Sequence, residues 1–388
     1  MPLNNRIADA QDEIAGWRRH LHANPEILYE VHDTAAFVAA KLRDFGCDAV
    51  TTGIGRTGVV GLVHGRTGAG GRVVGFRADM DALPIVEETG APHASTRAGA
   101  MHACGHDGHT AMLLGAARAL CETRAFEGTV ALIFQPAEEG GAGAKAMLDD
   151  GLLSIAPLSS VYGMHNLPGL PVGRFAMKHG PIMASTDEFA LTIGGRGGHA
   201  ALPHQTVDPI VTGAALVSAL QGIVSRSADP LLSLVVSVTQ FHAGFAHNII
   251  PDTAIVSGTV RSLSAEMREL AERRIREIAA GIGAAHGARI AVDYDRNYPV
   301  TFNHGRETDI CADVAAEIVG EAAVNRAAAP LMAGEDFSYM LEAVPGAYIF
   351  VGNGATANLH SPTYDFSDEA IAYGSSFWLR LAERALAA

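Results

Sequence analysis

Cysteine is scarce in this sequence: Cys47, Cys104, Cys121 and Cys311 are the only four in 388 residues. They are too few and too scattered for a disulfide framework, and a reducing cytoplasm is the compartment that fits. Long apolar runs are missing too. No stretch of 18 or more consecutive apolar residues occurs, which argues against a membrane-spanning helix. Residues 1–22 lack the apolar centre and small-residue cleavage site of a secretory signal. Basic residues are outnumbered, 28 Lys and Arg against 42 Asp and Glu, for a net charge of −14. A chain with this balance and no basic run excludes a nucleic-acid backbone as partner. Its densest basic stretch, Arg273-Arg274-Ile275-Arg276, is flanked by Glu and reads as the solvated face of an amphipathic helix. Internal repeats and low-complexity tracts are absent as well. What is abundant is histidine, 17 in all, the first hint of metal chemistry.

The length exceeds what one hydrophobic core usually serves, so two domains are expected. Short apolar runs at Arg72 to Phe76, Thr129 to Phe134 and Val161 to Met164 read as buried strands, with Thr110 to Cys121 as a helix between the first two. Strands alternating with helices imply a mainly parallel sheet covered on both faces. The middle of the chain changes character. It reads as strand Glu188 to Ile193, a helix opening at Asp208-Pro209, strands Leu231 to Thr239 and Thr253 to Val260, a helix from Ser264, and strand Arg289 to Tyr294. The second helix carries Met267, Leu270, Ala271, Ile275, Ile278 and Ile282 on one stripe. This β-α-β-β-α-β order is ferredoxin-like. The expected architecture is therefore an α/β domain of residues 1–180 and 298–388, interrupted by an α+β domain of residues 181–297. Strand Ala347 to Val351 and a helix from Asp368 complete the first domain.

Polar clusters follow the strands of the α/β part, where open sheets of this class collect their ligands. In His102-Ala103-Cys104-Gly105-His106-Asp107-Gly108-His109, a thiol and two or three imidazoles suit a borderline-soft divalent ion. Asp107 is placed to cap the helix it opens. Glu138 and Glu139 follow a buried strand, a poor place for two carboxylates without a cation. Pro136 and Gly140 bend the chain, so one Glu can bind metal while the other faces a water. His165 ends a short apolar run and His360 follows the strand Ala347 to Val351. Asp79 and Asp81, just past another strand, are natural acceptors for the outer N–H of a ligand imidazole.

Taken in order, these clusters resemble the M20 metallopeptidase family, and within it the amidohydrolases that act on N-acyl amino acids. The resemblance runs from Trp17-Arg18-Arg19-His20-Leu21-His22 through the Asp79, Cys104, Glu138 and His165 clusters to Ala333-Gly334-Glu335-Asp336-Phe337 and Leu359-His360-Ser361-Pro362. It implies two divalent metal ions, zinc, manganese, cobalt or nickel, on Cys104, His106, Glu139, His165 and His360, with one ligand bridging. It also implies Glu138 as general base and Asp81 as its support. The inserted domain would act as lid and dimerisation unit, with His199 reaching the substrate, Asn248 touching it and Arg261 taking its carboxylate. Other branches of the family carry His at the place of Asp79 and an Asp bridge at the place of Cys104 or His106.

The activity so implied is hydrolysis of a small N-acyl amino acid to a carboxylic acid and a free amino acid, by a homodimer or larger homo-oligomer, with neither nucleic acid nor membrane as partner. Two other readings stay open from the sequence: a dipeptidase or aminopeptidase on the same scaffold, and a binding protein without catalysis. A metal-free route with Cys104 as nucleophile would leave Glu139, His165 and His360 without a purpose.

Overall fold

The computed structural model describes residues 4–387. Two compact units emerge. One takes the chain through Ile182, then Phe302–Ala329 and from Asp336 onward; the other takes Met183–Thr301 with Pro330–Glu335.

The first unit is built on an eight-stranded sheet. Its order is Ala49–Ile54, Gly58–His64, Thr129–Gln135, Val73–Asp79, Ser160–Leu167, Gly346–Gly352, then the short strands Phe175–Ala176 and Val324–Asn325. The four central strands run parallel. Every residue of Thr129–Gln135 and of Gly346–Gly352 is buried, as continuous apolar strands covered by helices on both faces must be. The helix His106–Thr123 lies against the sheet and packs with Gln11–Ala23 and Ala370–Ala385. Its small residues allow this: a Cβ on Gly115 would sit 2.8 Å from both Ile14 Cδ1 and Ser375 Oγ. The antiparallel hairpin Ala49–Ile54 with Gly58–His64 was not anticipated. Its outer strand is half exposed and lacks the apolar run that marks its neighbours.

The second unit is a four-stranded antiparallel sheet in the order Leu234–Ala243, Thr253–Ser262, Ser185–Gly194, Arg289–Arg296. Numbered by sequence, that is the ferredoxin-like arrangement expected, with helices Pro209–Leu220 and Ala265–His286 packed on one face. Asp208 caps the first helix by accepting the Ile210 and Val211 N–H groups, with Pro209 in its first turn. Ser264 caps the second, and Met267, Ala271, Ile275 and Ala279 form its buried stripe. Burial alternates along Ser185–Gly194 because only one face of the sheet is covered.

One expected strand bound needs correction. The second strand of this unit starts at Leu234 rather than Leu231. Asp229 closes a turn there, its side chain accepting from Leu231 N at 2.9 Å and its carbonyl from Leu232 N at 3.0 Å. Leu231 is left 90% exposed. In addition, Pro209–Ser227 is long and apolar enough on average to cross a membrane, with 28% of it buried. Thr212, Ser218 and Gln221 interrupt it, so it forms no consecutive apolar run; Leu216, Leu220 and Ile223 are its buried side, in the core of this unit.

Candidate metal centre

The carboxyl ends of the parallel strands and the start of the helix His106–Thr123 bring one set of donors together. Gly105 sets the geometry. Its φ of 91° is left-handed, and a Cβ there would lie 2.3 Å from Asn166 Nδ2 and 2.5 Å from the Tyr364 hydroxyl. Only glycine makes that turn at that distance. Cys104 leads into the turn and His106 leaves it as the first helical residue. Asn166 locks the loop from below: its Nδ2 donates to Cys104 O at 2.7 Å, and Tyr364 donates to its Oδ1 at 2.8 Å.

His165, one residue earlier on its strand, donates Nδ1–H to Asn166 O at 2.7 Å. Its Nε2 lone pair therefore faces Cys104 Sγ, 3.4 Å away. Burial, with His109 nearby, holds the His165 imidazole neutral. Beyond Gln135 the chain bends at Ala137, whose φ is 54°. Asp81 fixes the bend: Glu138 N donates to its Oδ1 at 3.0 Å and Glu139 N to its Oδ2 at 3.1 Å. Glu139 Oε1 then lies 3.4 Å from His360 Nε2 and 4.0 Å from His106 Nε2. The loop of His360, itself at φ 64°, is tied back by its N–H to Ala103 O at 2.8 Å.

These donors form overlapping groups in which each residue offers one ligand atom within 4.8 Å of the others: Cys104 with His106 and His165, Cys104 with Glu139 and His360, and His106 with Glu138 and Glu139. Three features favour a cation among them. Both nitrogens of buried His106 and Oε1 of Glu139 lack a hydrogen-bond partner. Burial works against charge on His106, yet Asp79, Asp81 and Glu139 together raise it to about 10, so a proton is drawn to the place a metal would take. Burial and the Glu139 and Glu138 carboxylates push the Cys104 thiol up, and a thiolate there needs a neighbouring cation. The donor set of one sulfur, three imidazoles and a carboxylate suits divalent zinc-like ions.

Other residues fall outside this cluster. His109 donates Nδ1–H to Asp79 at 2.7 Å and accepts Asn166 N–H at Nε2 at 2.9 Å, so both of its nitrogens are committed. His102 is buried with neither nitrogen hydrogen-bonded, and burial lowers it to about 3. Asp107 does not cap its helix, because Gly105 occupies the cap position. Its carboxylate instead accepts from Arg18 Nε at 2.7 Å and His22 Nδ1 at 2.8 Å, which gives the Trp17 to His22 motif its structural purpose. Asp79 likewise accepts from His109 rather than from a ligand imidazole, and Arg77 balances it at 2.6 Å. Asp81 lies 3.5 Å from His106 Nδ1 while holding the two Glu amides. The sequence reading missed Asn166, Tyr364 and Arg77. Asn166 and Arg77 sit inside motifs already noted, whereas nothing near Tyr364 in sequence points to it.

His199, Asn248 and Arg261 belong to the second unit. His199 lies on a two-residue strand paired with Ile249–Ile250, and Ala200 N donates to Asn248 O at 3.0 Å. Ala201 N donates to His199 Nδ1 at 3.1 Å, which leaves the ring proton on Nε2. Arg261, half buried on Thr253–Ser262, is held by Thr259 Oγ1 and by Val260 O at 3.2 Å. Burial draws its pKa down, opposed by Glu188 and Asp187.

Comparison with known proteins gives this centre a context. The pattern of Peptidase family M20/M25/M40 matches residues 75–384. A hippurate hydrolase of Campylobacter jejuni subsp. jejuni is 43% identical over 382 residues, covering 98% of this chain and 99% of the relative. An N-acetyl-L-cysteine deacetylase of Bacillus subtilis is 39% identical over 390 residues, covering 99% and 90%. Among solved structures, a dinuclear metal-binding peptidase of the M20 family from Bacillus subtilis superposes with a TM-score of 0.86 at 34% identity, covering 98% and 99%. A pattern match across most of the chain and relatives aligned over nearly its whole length leave one assignment: this chain belongs to peptidase family M20/M25/M40.

Proposed function

We propose that this enzyme hydrolyses the amide bond of N-acyl amino acids, hippurate-like or acetylated, releasing a carboxylic acid and a free amino acid. The observation that carries the proposal is the set of buried Cys104, His106 and His165, half-buried Glu139 and exposed His360 gathered around the unpartnered His106 nitrogens, with Glu138 beside it. The activities named for the hippurate hydrolase and the deacetylase relatives support the substrate class. Those five residues would hold two divalent ions, and zinc, manganese, cobalt or nickel each suits the donors. Such an ion, when bound, lowers the pKa of water from about 16 to roughly 7 and polarises a carbonyl oxygen.

The chain's own groups do the rest. Glu138 accepts the proton of the attacking water and returns it to the departing nitrogen. Asp81, through two amide hydrogen bonds, keeps Glu138 and Glu139 turned to their separate tasks. His199, with its proton on Nε2, is the donor we assign to the developing oxyanion. Asn248 and Arg261 are assigned to the substrate, Arg261 to its free carboxylate. A homodimer formed through the inserted unit is supported by its exposed apolar side chains, with Val235 and Phe241 on the edge strand and Val211 on the first helix. Four free cysteines among the described residues suit a cytoplasmic setting.

Asp81→Asn offers only one acceptor where two N–H groups now converge. It is expected to weaken metal affinity about 10–100-fold, as loss of a group supporting metal ligands does elsewhere. Competition with a chelator of known affinity measures this; unchanged affinity would remove Asp81 from the centre. The activity itself is tested by stripping the protein with a chelator, restoring Mn²⁺ or Zn²⁺, and assaying amino acid release. Hippurate, a panel of acetyl-amino acids and free-amine dipeptides serve as substrates. Release from the acylated compounds alone, lost on stripping and regained on restoration, is expected. Cleavage of the dipeptides alone would replace the proposal with a peptidase.

A further inference from the structure

Away from the metal centre, the first unit holds a second arrangement of thiols. Cys47 lies just beyond the helix His32–Asp44, and Cys121 lies in the last turn of His106–Thr123. Their sulfurs are 3.6 Å apart although 74 positions separate them in sequence. The backbone enforces the approach. Arg124, in the left-handed conformation that ends its helix, donates to Asp48 Oδ2 at 2.7 Å, to His64 O at 2.7 Å and to Gly46 O at 3.0 Å. The guanidinium thus grips the residues on either side of Cys47 and holds that loop against the helix end. Cys47 is partly exposed, so a small oxidant can reach its sulfur, whereas Cys121, Cys104 and Cys311 are buried.

We propose that Cys47 and Cys121 form a reversible oxidative-modification site that closes to a disulfide on exposure to a hydroperoxide. One thiolate sulfur attacks the peroxide O–O bond, giving a sulfenic acid and, after protonation, one water. The neighbouring thiolate attacks the sulfenic sulfur; the S–S bond forms, the S–O bond breaks, and the hydroxide leaves as a second water. Both sulfurs are oxidised and one hydrogen peroxide is reduced. A dithiol reverses the reaction by exchange. The sulfurs need to close only from 3.6 Å to about 2.05 Å.

The bond would join the helix end to the edge hairpin. It would lie about 22 Å along the helix from His106, from the rise per residue. Stability should change and turnover should not. Closing a loop of this length is expected to raise Tm by about 5 °C.

The test treats the purified metal-loaded protein with a small excess of hydrogen peroxide. Remaining thiols are then alkylated in denaturant and the disulfide is mapped by peptide mass spectrometry. A single Cys47–Cys121 peptide that a dithiol releases is expected, with the Tm rise and unchanged kcat. Cys47→Ser and Cys121→Ser should each abolish both the peptide and the rise. Mapping of the unaltered protein stands even if a variant folds poorly. Both thiols still alkylatable, a sulfinic acid on either one, or a linkage to Cys104 or Cys311 would overturn the proposal.

Discussion

Replacing Glu138 with Gln should leave the bound metal in place and lower kcat by about two to four orders of magnitude. The substitution keeps the size of the side chain and the backbone N–H that Asp81 holds at 3.0 Å. It leaves the neighbouring Glu139, our metal ligand, untouched. What it removes is a carboxylate able to take a proton from water and return it to the leaving nitrogen. An amide does neither. The loss should therefore fall on kcat with little change in KM, the signature of a group that acts in the transition state. Steady-state hydrolysis of hippurate, alongside metal content by elemental analysis, decides it. Near-normal turnover with full metal content would mean that another group carries the proton, and the assignment would fail.

Arg77→Met should destabilise the first unit by about 3–5 kcal/mol. Arg77 is fully buried, with one guanidinium nitrogen 2.6 Å from Asp79 and another 2.9 Å from Asp336. Its Nε donates to Gln135 Oε1 at 2.8 Å. The variant would bury two carboxylates without their shared cation, a far larger penalty than loss of an exposed pair. Asp79 is held low by His106, Arg77 and His109 in spite of burial, so the variant would also shift its demand for positive charge onto the two histidines. Urea unfolding of the metal-free protein measures the cost. A change under about 1 kcal/mol would show that hydrogen bonds from neighbouring groups suffice for both carboxylates.

Much of this was legible from the chain. Continuous apolar strands announced the parallel sheet, and the period of Met267, Ala271 and Ile275 announced a helix with one buried side. Donors brought together in space also sat in compact clusters, each after a strand, so the candidate donors could be named without knowing how the loops meet. What escaped notice depends on distant partners. Asp107 looks like a helix cap because its neighbours say so; its true partner Arg18 lies 89 positions earlier. Asp81 holds amides 57 and 58 positions later. Gly105 is visible as a glycine, but the reason for it, the Asn166 and Tyr364 side chains, is fixed only by the fold. The outer strand Ala49–Ile54 hid because an edge strand facing solvent has no need of an apolar run, whereas its buried partner Gly58–His64 carries one that was overlooked.

The donors of the centre are spread from Cys104 to His360, and His360 is seated by a hydrogen bond to Ala103. A chain emerging from the ribosome has four of the five donors in hand long before the last arrives. Between them it must first make the whole inserted unit, which can fold on its own time. Any ion captured early would meet an incomplete cage, open on the side that His360 closes. The centre thus depends on a donor made near the end of synthesis, and a chain cut before His360 would carry only four of the five donors.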